Sequence, residues 1–233
     1  TSVTGVQTCA LPISENSTSI KSSLKILNLG CGNSILCEDM WDEGYKLIWN
    51  MDISSVCIQQ MGDRNRQSRP EMKWEVMDCR DLKYETGTFD LIVDKSTIDA
   101  LLCGNFAYLN VAIMLKECQR VLKTGGYYMA VSYGVPDNRE FHLIREHLKF
   151  ELNTYKIEKK HPNTNQTSVH YIYVAKKLPE ADKHCEKNWP QVMNQIRMEM
   201  EDDQLSELTE NENDAEGDKI LHANLKVVSQ HLA

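Results

Sequence analysis

Short apolar runs alternate with helix-period segments from Leu24 to about Lys177. The runs at 24–29 (LKILNL), 47–52 (LIWNMD), 73–77 (KWEVM), 89–94 (FDLIVD) and 127–133 (YYMAVSY) predict strands, and several are continuous enough to be buried on both faces of a parallel sheet. Among the helical segments, 109–122 is the clearest. Met114, Leu115, Cys118, Val121 and Leu122 fall at i, i+1, i+4, i+7 and i+8, and Gly125-Gly126 reads as its stop. Four strand-helix alternations predict a doubly wound α/β sheet. After the fifth strand the pattern changes to a helix at about 138–148 and strand-like runs at 149–157 and 168–176, joined by His161-Pro162-Asn163-Thr164-Asn165. This predicts a mostly parallel, Rossmann-like sheet that ends in an antiparallel hairpin.

The segments outside this body read differently. Residues 1–23 are rich in Ser and Thr without periodicity, so structure is expected to begin near Leu24. Beyond Lys177 apolar density falls, the acidic stretch 199–218 reads as solvated, and Ile220 to Leu232 has the spacing of a short terminal helix. The predicted division is a leader (1–23), one domain (24–177) and a C-terminal extension (178–233).

The turn after the first strand carries the first candidate chemistry. Gly30-Cys31-Gly32-Asn33-Ser34 leads into Ile35, Leu36, Met40 and Trp41 at helical spacing. Glycines allow a tight turn and close approach of a ligand, and the free amides of a helix start favour a carboxylate or phosphate. Asn33 or Ser34 is placed to cap that helix. Three acids then follow at strand ends: Asp52, Asp78 and Asp94 close the second, third and fourth runs. All three belong at the carboxyl edge, where ligands bind in open α/β sheets. A nicotinamide dehydrogenase uses the same glycine turn and first acid, but Ile35 stands at the third glycine position, over which a pyrophosphate would pack. S-adenosyl-L-methionine has no pyrophosphate. Its carboxylate fits the glycine turn, its ribose Asp52, its adenine the vicinity of Asp78, and its methyl sulfonium the vicinity of Asp94.

Charge and cysteine usage narrow the remaining classes. The net charge of −8 comes from ten acids within 199–218, leaving 24 acids against 26 bases elsewhere, so the body has neither a basic nor an acidic excess. Overall charge therefore argues neither for nor against nucleic acid, which is disfavoured as a partner because Asp94-Lys95-Ser96-Thr97 follows the fourth strand where an Asn-Pro-Pro-Tyr-like run would serve base methylation. No apolar run approaches the roughly 18 residues of a membrane span. The eight cysteines are scattered without C-x-x-C pairs and read as reduced thiols, with no metal expected. Residues 1–14 lack the basic start and long apolar run of a secretory signal. The expectation is a soluble cytoplasmic protein.

Leu27-Asn28-Leu29-Gly30-Cys31-Gly32-Asn33-Ser34, Asn50-Met51-Asp52-Ile53-Ser54, Trp74-Glu75-Val76-Met77-Asp78 and the run from Phe89 to Leu102, which includes Asp94-Lys95-Ser96-Thr97-Ile98-Asp99-Ala100-Leu101, resemble the class I S-adenosylmethionine-dependent methyltransferases. More narrowly they are similar to the methyltransferase-like group that contains lysine methyltransferases of translation elongation factor 1-alpha. The resemblance implies a seven-stranded sheet with an antiparallel last strand. It implies that Gly30, Cys31, Gly32 and Asn33 bracket the methionine moiety, that Asp52 with Ile53 holds the ribose, and that Asp78 with Cys79 frames the adenine. It also implies that Asp94 to Thr97 faces the acceptor; from the chemistry of methyl transfer, Asp94 is expected to orient acceptor or cofactor and Lys95 to bridge acids or face the substrate. The implied partner is a protein substrate such as elongation factor 1-alpha. A small-molecule methyltransferase and an inactive cofactor-binding or partner-binding relative are the other readings; Asp94-Lys95-Ser96-Thr97 stands where base-amino methyltransferases carry Asn-Pro-Pro-Tyr. Two departures stand out. Ser96 occupies a position where the family usually has Gly, and relatives carry a longer front with an aromatic segment over the cofactor. Residues 1–14 match nothing expected there and read as a foreign leader on a truncated chain.

Overall fold

The computed structural model describes residues 18–160 and 167–210. Seven strands form one sheet in the order β3-β2-β1-β4-β5-β7-β6: β1 (Lys25–Leu29), β2 (Leu47–Asp52), β3 (Lys73–Val76), β4 (Phe89–Lys95), β5 (Leu122–Ser132), β6 (Phe150–Lys160) and β7 (Thr167–Lys177). The first five run parallel, and β7 inserts antiparallel between β5 and β6. The predicted sheet and hairpin are both present, while the turn His161–Asn165 and the terminal helix 220–232 lie outside the described residues.

Continuous apolar runs become strands here because helices cover both faces. In β1 the four residues Ile26 to Leu29 are all buried. On one face Leu27, Leu29, Ile92 and Tyr128 pack with Val111, Met114, Leu115 and Cys118 of α5 (Ala107–Val121). On the other, Ile26, Ile48, Leu91 and Val93 pack with Cys37 and Trp41 of α2 (Leu36–Asp42). Two asparagines are buried among them. Asn28 Nδ2 donates to Asn50 Oδ1 at 2.9 Å and Asn50 Nδ2 to the Lys73 carbonyl at 3.2 Å, so β1, β2 and β3 are tied by side chains as well as by the ladder. Helix α3 (Ser55–Asn65) starts on Ser54, whose hydroxyl accepts from the Cys57 amide.

Four local expectations change. Helix α1 (Thr18–Ser23) precedes the first strand, inside the segment read as structureless. Helix α5 ends at Val121 and β5 begins at once, so Gly125-Gly126 lies within the strand. The pair serves a bulge there: register shifts between Phe89 and Leu91, Gly125 has φ +81°, and a Cβ at Gly126 would come within 3.0 Å of the Asp90 carbonyl. The helix expected at 138–148 is a 3₁₀ turn (Pro136–Asn138) and a single turn α6 (Glu140–Leu143), after which Arg145 and Leu148 close a separate turn. Finally, α7 (Ala181–Glu210) is one 30-residue helix. Its Val192 and Ile196 pack on Leu109 and Ala112 of α5, and Arg145 pairs with Glu199 at 2.8 Å. The first half of the acidic stretch thus continues a docked helix.

Candidate functional site

Strand order reverses between β1 and β4, and the carboxyl ends of β1, β2 and β4 open there into a cleft. The cavity measures about 360 Å³ and is lined by Gly30, Asp52, Ile53, Asp78, Cys79 and Lys95, together with Met51, Met77, Arg80, Ser96, Thr97, Ala100 and Leu101. Six of the residues singled out from sequence therefore meet in one hollow. Cys31, Gly32, Asn33 and Asp94 do not reach its wall.

The glycine turn is built by what packs against it. Gly30 has φ +60°, and a Cβ there would fall 2.3 Å from Thr97 Oγ1. That hydroxyl donates to the Leu29 carbonyl at 2.8 Å, so the acceptor-side loop is stitched directly onto the glycine turn. The Gly30 amide points at Met51 Sδ (3.3 Å) and the Cys31 amide donates to the Met51 carbonyl (2.9 Å). Gly32 has φ +51°, and a Cβ on it would meet open space. Burial pushes the Cys31 thiol up, keeping it protonated. Ser34 rather than Asn33 serves the start of α2, its hydroxyl accepting from the Leu36 amide at 3.3 Å, although the cap position itself is Ile35.

The three strand-end acids have three different environments. Asp52 accepts from the Gly32 amide on Oδ2 and from the Ser54 amide on Oδ1, both at 2.9 Å. Each oxygen keeps a lone pair for a further donor. Asp78 is occupied: Arg80 reaches Oδ1 through its amide and Nε (2.9 and 3.0 Å) and Oδ2 through Nε and Nη2 (3.2 and 2.7 Å). The Arg80 hydrogen bonds hold that carboxyl below the usual carboxylate range. Arg80 Nη1 also donates to Asn110 on α5, at 2.9 Å. Beside it, burial pushes the Cys79 thiol up to about 12.

Asp94 is 0% exposed. Tyr128 donates to Oδ2 at 2.7 Å, the Thr97 amide to Oδ1 at 2.7 Å, and the Ile98 amide to Oδ2 at 3.1 Å. Desolvation pushes its pKa up to about 6 against those hydrogen bonds. The carboxyl lies under the loop and shapes it, while Lys95, Ser96 and Thr97 form the wall above. Ser96 adopts φ +69°, the left-handed region, directly before α4 (Thr97–Leu102). A family glycine at this position is what that backbone favours.

Sequence reasoning missed Thr97 as the wall of Gly30, Arg80 as the partner of Asp78, and Met51 and Met77. Arg80 had a local signal, an arginine two residues after a strand-end acid. Thr97 lies 68 residues from Leu29, and no local pattern announces that contact.

The hollow, the open turn at Gly32 and the spare lone pairs of Asp52 fit an amino-acid nucleoside, whose carboxylate, ribose and base need separate walls. Comparison with known proteins agrees. The family described as "Methyltransferase domain" matches residues 27–130. The eEF1A lysine and N-terminal methyltransferase of Mus musculus is 44% identical over 115 residues, which are 48% of this chain and 16% of that protein. The EEF1A lysine methyltransferase 4 of Bos taurus is 33% identical over 136 residues, covering 55% of this chain and 53% of that protein. The chain thus spans about half, or far less, of the curated relatives it matches. Among solved structures, a SAM-dependent methyltransferase from Methanosarcina mazei superposes with TM-score 0.52 at 19% identity over 67% of this chain and 93% of that one, a likeness of fold.

Proposed function

We propose, from a chain that carries an S-adenosylmethionine-dependent methyltransferase domain, that it transfers a methyl group to a lysine side chain of a protein, with elongation factor 1-alpha as the acceptor. The observation that carries this reading is the cavity at the reversal of strand order, whose wall is shared by Gly30, Asp52 and the Lys95–Thr97 loop. The acceptor class is supported by the relatives' activities. Among the described residues no helix is long and apolar enough to cross a membrane.

When bound, the cofactor supplies a methyl group already activated on a sulfonium. The chain's part is alignment and exclusion of water. In this reading Gly30 and Gly32 receive the amino-acid end, Asp52 accepts from a ribose hydroxyl, and Cys79 with the Asp78–Arg80 pair borders the base. A lysine amine would attack in its neutral form, the cofactor supplying the methyl with the thioether sulfur as its leaving group and the new ammonium losing its proton to solvent. Asp94 acts as a positioning residue through Thr97, Ile98 and Tyr128, which accounts for a carboxyl that touches no reacting atom.

Calorimetry with S-adenosylmethionine and S-adenosylhomocysteine, followed by incubation with labelled cofactor and purified elongation factor 1-alpha, tests both layers. Binding with label on a lysine of the factor is expected. Label on small molecules of an extract alone would replace the acceptor class, binding without any transfer would make the chain a cofactor-binding relative, and absence of binding would overturn the site.

A further inference from the structure

Beyond Ser132, where β5 leaves the sheet, Tyr133 and Gly134 are held by a set of interactions that a connecting loop does not require. The Tyr133 amide donates to Asp99 Oδ2 at 3.2 Å, the Gly134 amide to Ser132 Oγ at 2.9 Å, and the Gly134 carbonyl accepts from the Tyr173 hydroxyl at 2.6 Å. Asp99 also accepts from the Ser132 hydroxyl and, on Oδ1, from Nε and Nη2 of Arg139 at 3.0 and 2.9 Å. The Arg139 guanidinium lies so close over Gly134 that a Cβ there would come within 2.3 Å of it. The Asp99 and Arg139 side chains are only 17% and 15% exposed, so this fork-like pair works largely out of water.

The side chain that leaves this rigid corner is the opposite. Tyr133 is 65% exposed, its ring backed by His170 at a centroid distance of 4.3 Å. A backbone tied on several sides thus presents a large aromatic to solvent, the arrangement of a contact residue carried on a braced loop. Its position agrees. Lys95 pairs with Val131, and the Ser96 amide donates to the Val131 carbonyl at 3.0 Å. Lys95, Ser96 and Ala100, the neighbour of Asp99, all line the cavity. Tyr133 stands two residues further along the chain, roughly 7 Å past that rim.

We infer that Tyr133, backed by His170, receives the acceptor lysine at the mouth of the cleft, and that Asp99, Ser132 and Arg139 are positioning residues for it. This rests on the lysine reading above. An arriving lysine carries an ammonium and a four-carbon stem. The ring face attracts the charge and the ring body covers the stem, so capture does not wait for proton loss. His170 holds the ring in one orientation, and the Asp99–Arg139 pair fixes the backbone from which it projects.

The test is steady-state kinetics of the full chain with elongation factor 1-alpha, alongside calorimetry for S-adenosylhomocysteine. Tyr133→Ala is expected to raise KM for the protein acceptor about tenfold while kcat and cofactor affinity stay within twofold, and Tyr133→Phe to restore the wild-type KM. Arg139→Ala is expected to reproduce the acceptor KM defect with cofactor affinity unchanged; a merely structural role would lower cofactor affinity as well. Wild-type protein that methylates the factor and a Tyr133→Ala variant with the same KM would overturn this role alone. Wild-type protein that binds cofactor and transfers nothing to the factor would overturn the lysine reading and this role together.

Discussion

Among the described residues, the candidate cleft of about 360 Å³ can be set against another hollow of nearly equal volume, about 370 Å³. It runs along α3 and is lined by Gly62, Asp63, Arg66, Arg69, Pro70 and Trp74, among others. Its charges are already matched: Arg69 pairs with Asp42 at 2.6 Å and Arg66 with Asp63. Its backbone is ordinary helix, turn and the start of β3. The cleft at the strand ends holds Gly30 and Ser96 in left-handed backbone and an acid with lone pairs to spare in Asp52, with the buried carboxyl of Asp94, its pKa raised by desolvation to about 6, beneath its loop. Volume does not separate the two. Unspent hydrogen-bonding capacity on a strained, over-determined backbone does.

The sharpest way to break this comparison is to put the same methyl group into each hollow. At Gly30 it collides with Thr97 on a backbone that disfavours it, so Gly30→Ala is expected to lose roughly 2–4 kcal/mol of stability and all measurable affinity for S-adenosylmethionine, read by denaturant unfolding and calorimetry. At Gly62 it meets Trp74 at 3.6 Å, an ordinary contact in mid-helix. Gly62→Ala is the smallest effect of the series, a gain of up to about 1 kcal/mol with cofactor affinity unchanged. Equal losses at the two sites would erase the distinction.

Between these extremes lies the pH dependence of Asp94. Its folded pKa of about 6 stands above its ordinary value of 3.8, so the folded protein binds the extra proton between those limits. Stability from this group is therefore largest at low pH and falls as pH rises from about 4 to about 6, by an amount on the order of 2–3 kcal/mol. Asp94→Asn is expected to remove that fall, seen as a flatter difference in urea midpoints across this window. An unchanged slope would mean that the carboxyl is hydrated. Next in size, Ser96→Gly relieves the left-handed serine and is expected to raise stability by about 1 kcal/mol, measured by thermal unfolding, because the serine makes no side-chain cap bond to lose.

The sheet was readable because its physics is local. Each parallel strand is a continuous apolar run covered on both faces, and the glycine turn follows one such run directly. What escaped is non-local or masked. Helix α7 carries a buried stripe, Ala181, Cys185, Val192 and Ile196, at helical spacing, but Pro190 and the acids that follow hide it in any reading by composition. The Gly125-Gly126 pair looks like a helix stop and is a strand bulge, crowded by the Lys123 carbonyl of its own strand and by the Asp90 carbonyl of β4, the second of which no local pattern announces. In the site, the spacing of Asp52, Asp78 and Asp94 was legible, but not that the first keeps lone pairs free, the second is held by Arg80, and the third is sealed beneath the loop. Strand-end position says where an acid stands, and only its partners say what it has left to offer.

The order β5-β7-β6 also bears on how the chain reaches its folded state. Among the described residues, the seat next to β5 is taken by the last of the seven strands, and β6 pairs with β7 alone. A nascent chain that has emerged only as far as β6 therefore holds β5 as an open edge ending beside the cleft, with no neighbour for β6 to join. The rim at Tyr133 is set only when Tyr173 arrives to bond the Gly134 carbonyl. Completion of the binding face and removal of an aggregation-prone edge are thus one event, set by the arrival of β7, and a lesion in β7 would be felt first as poor yield of folded protein.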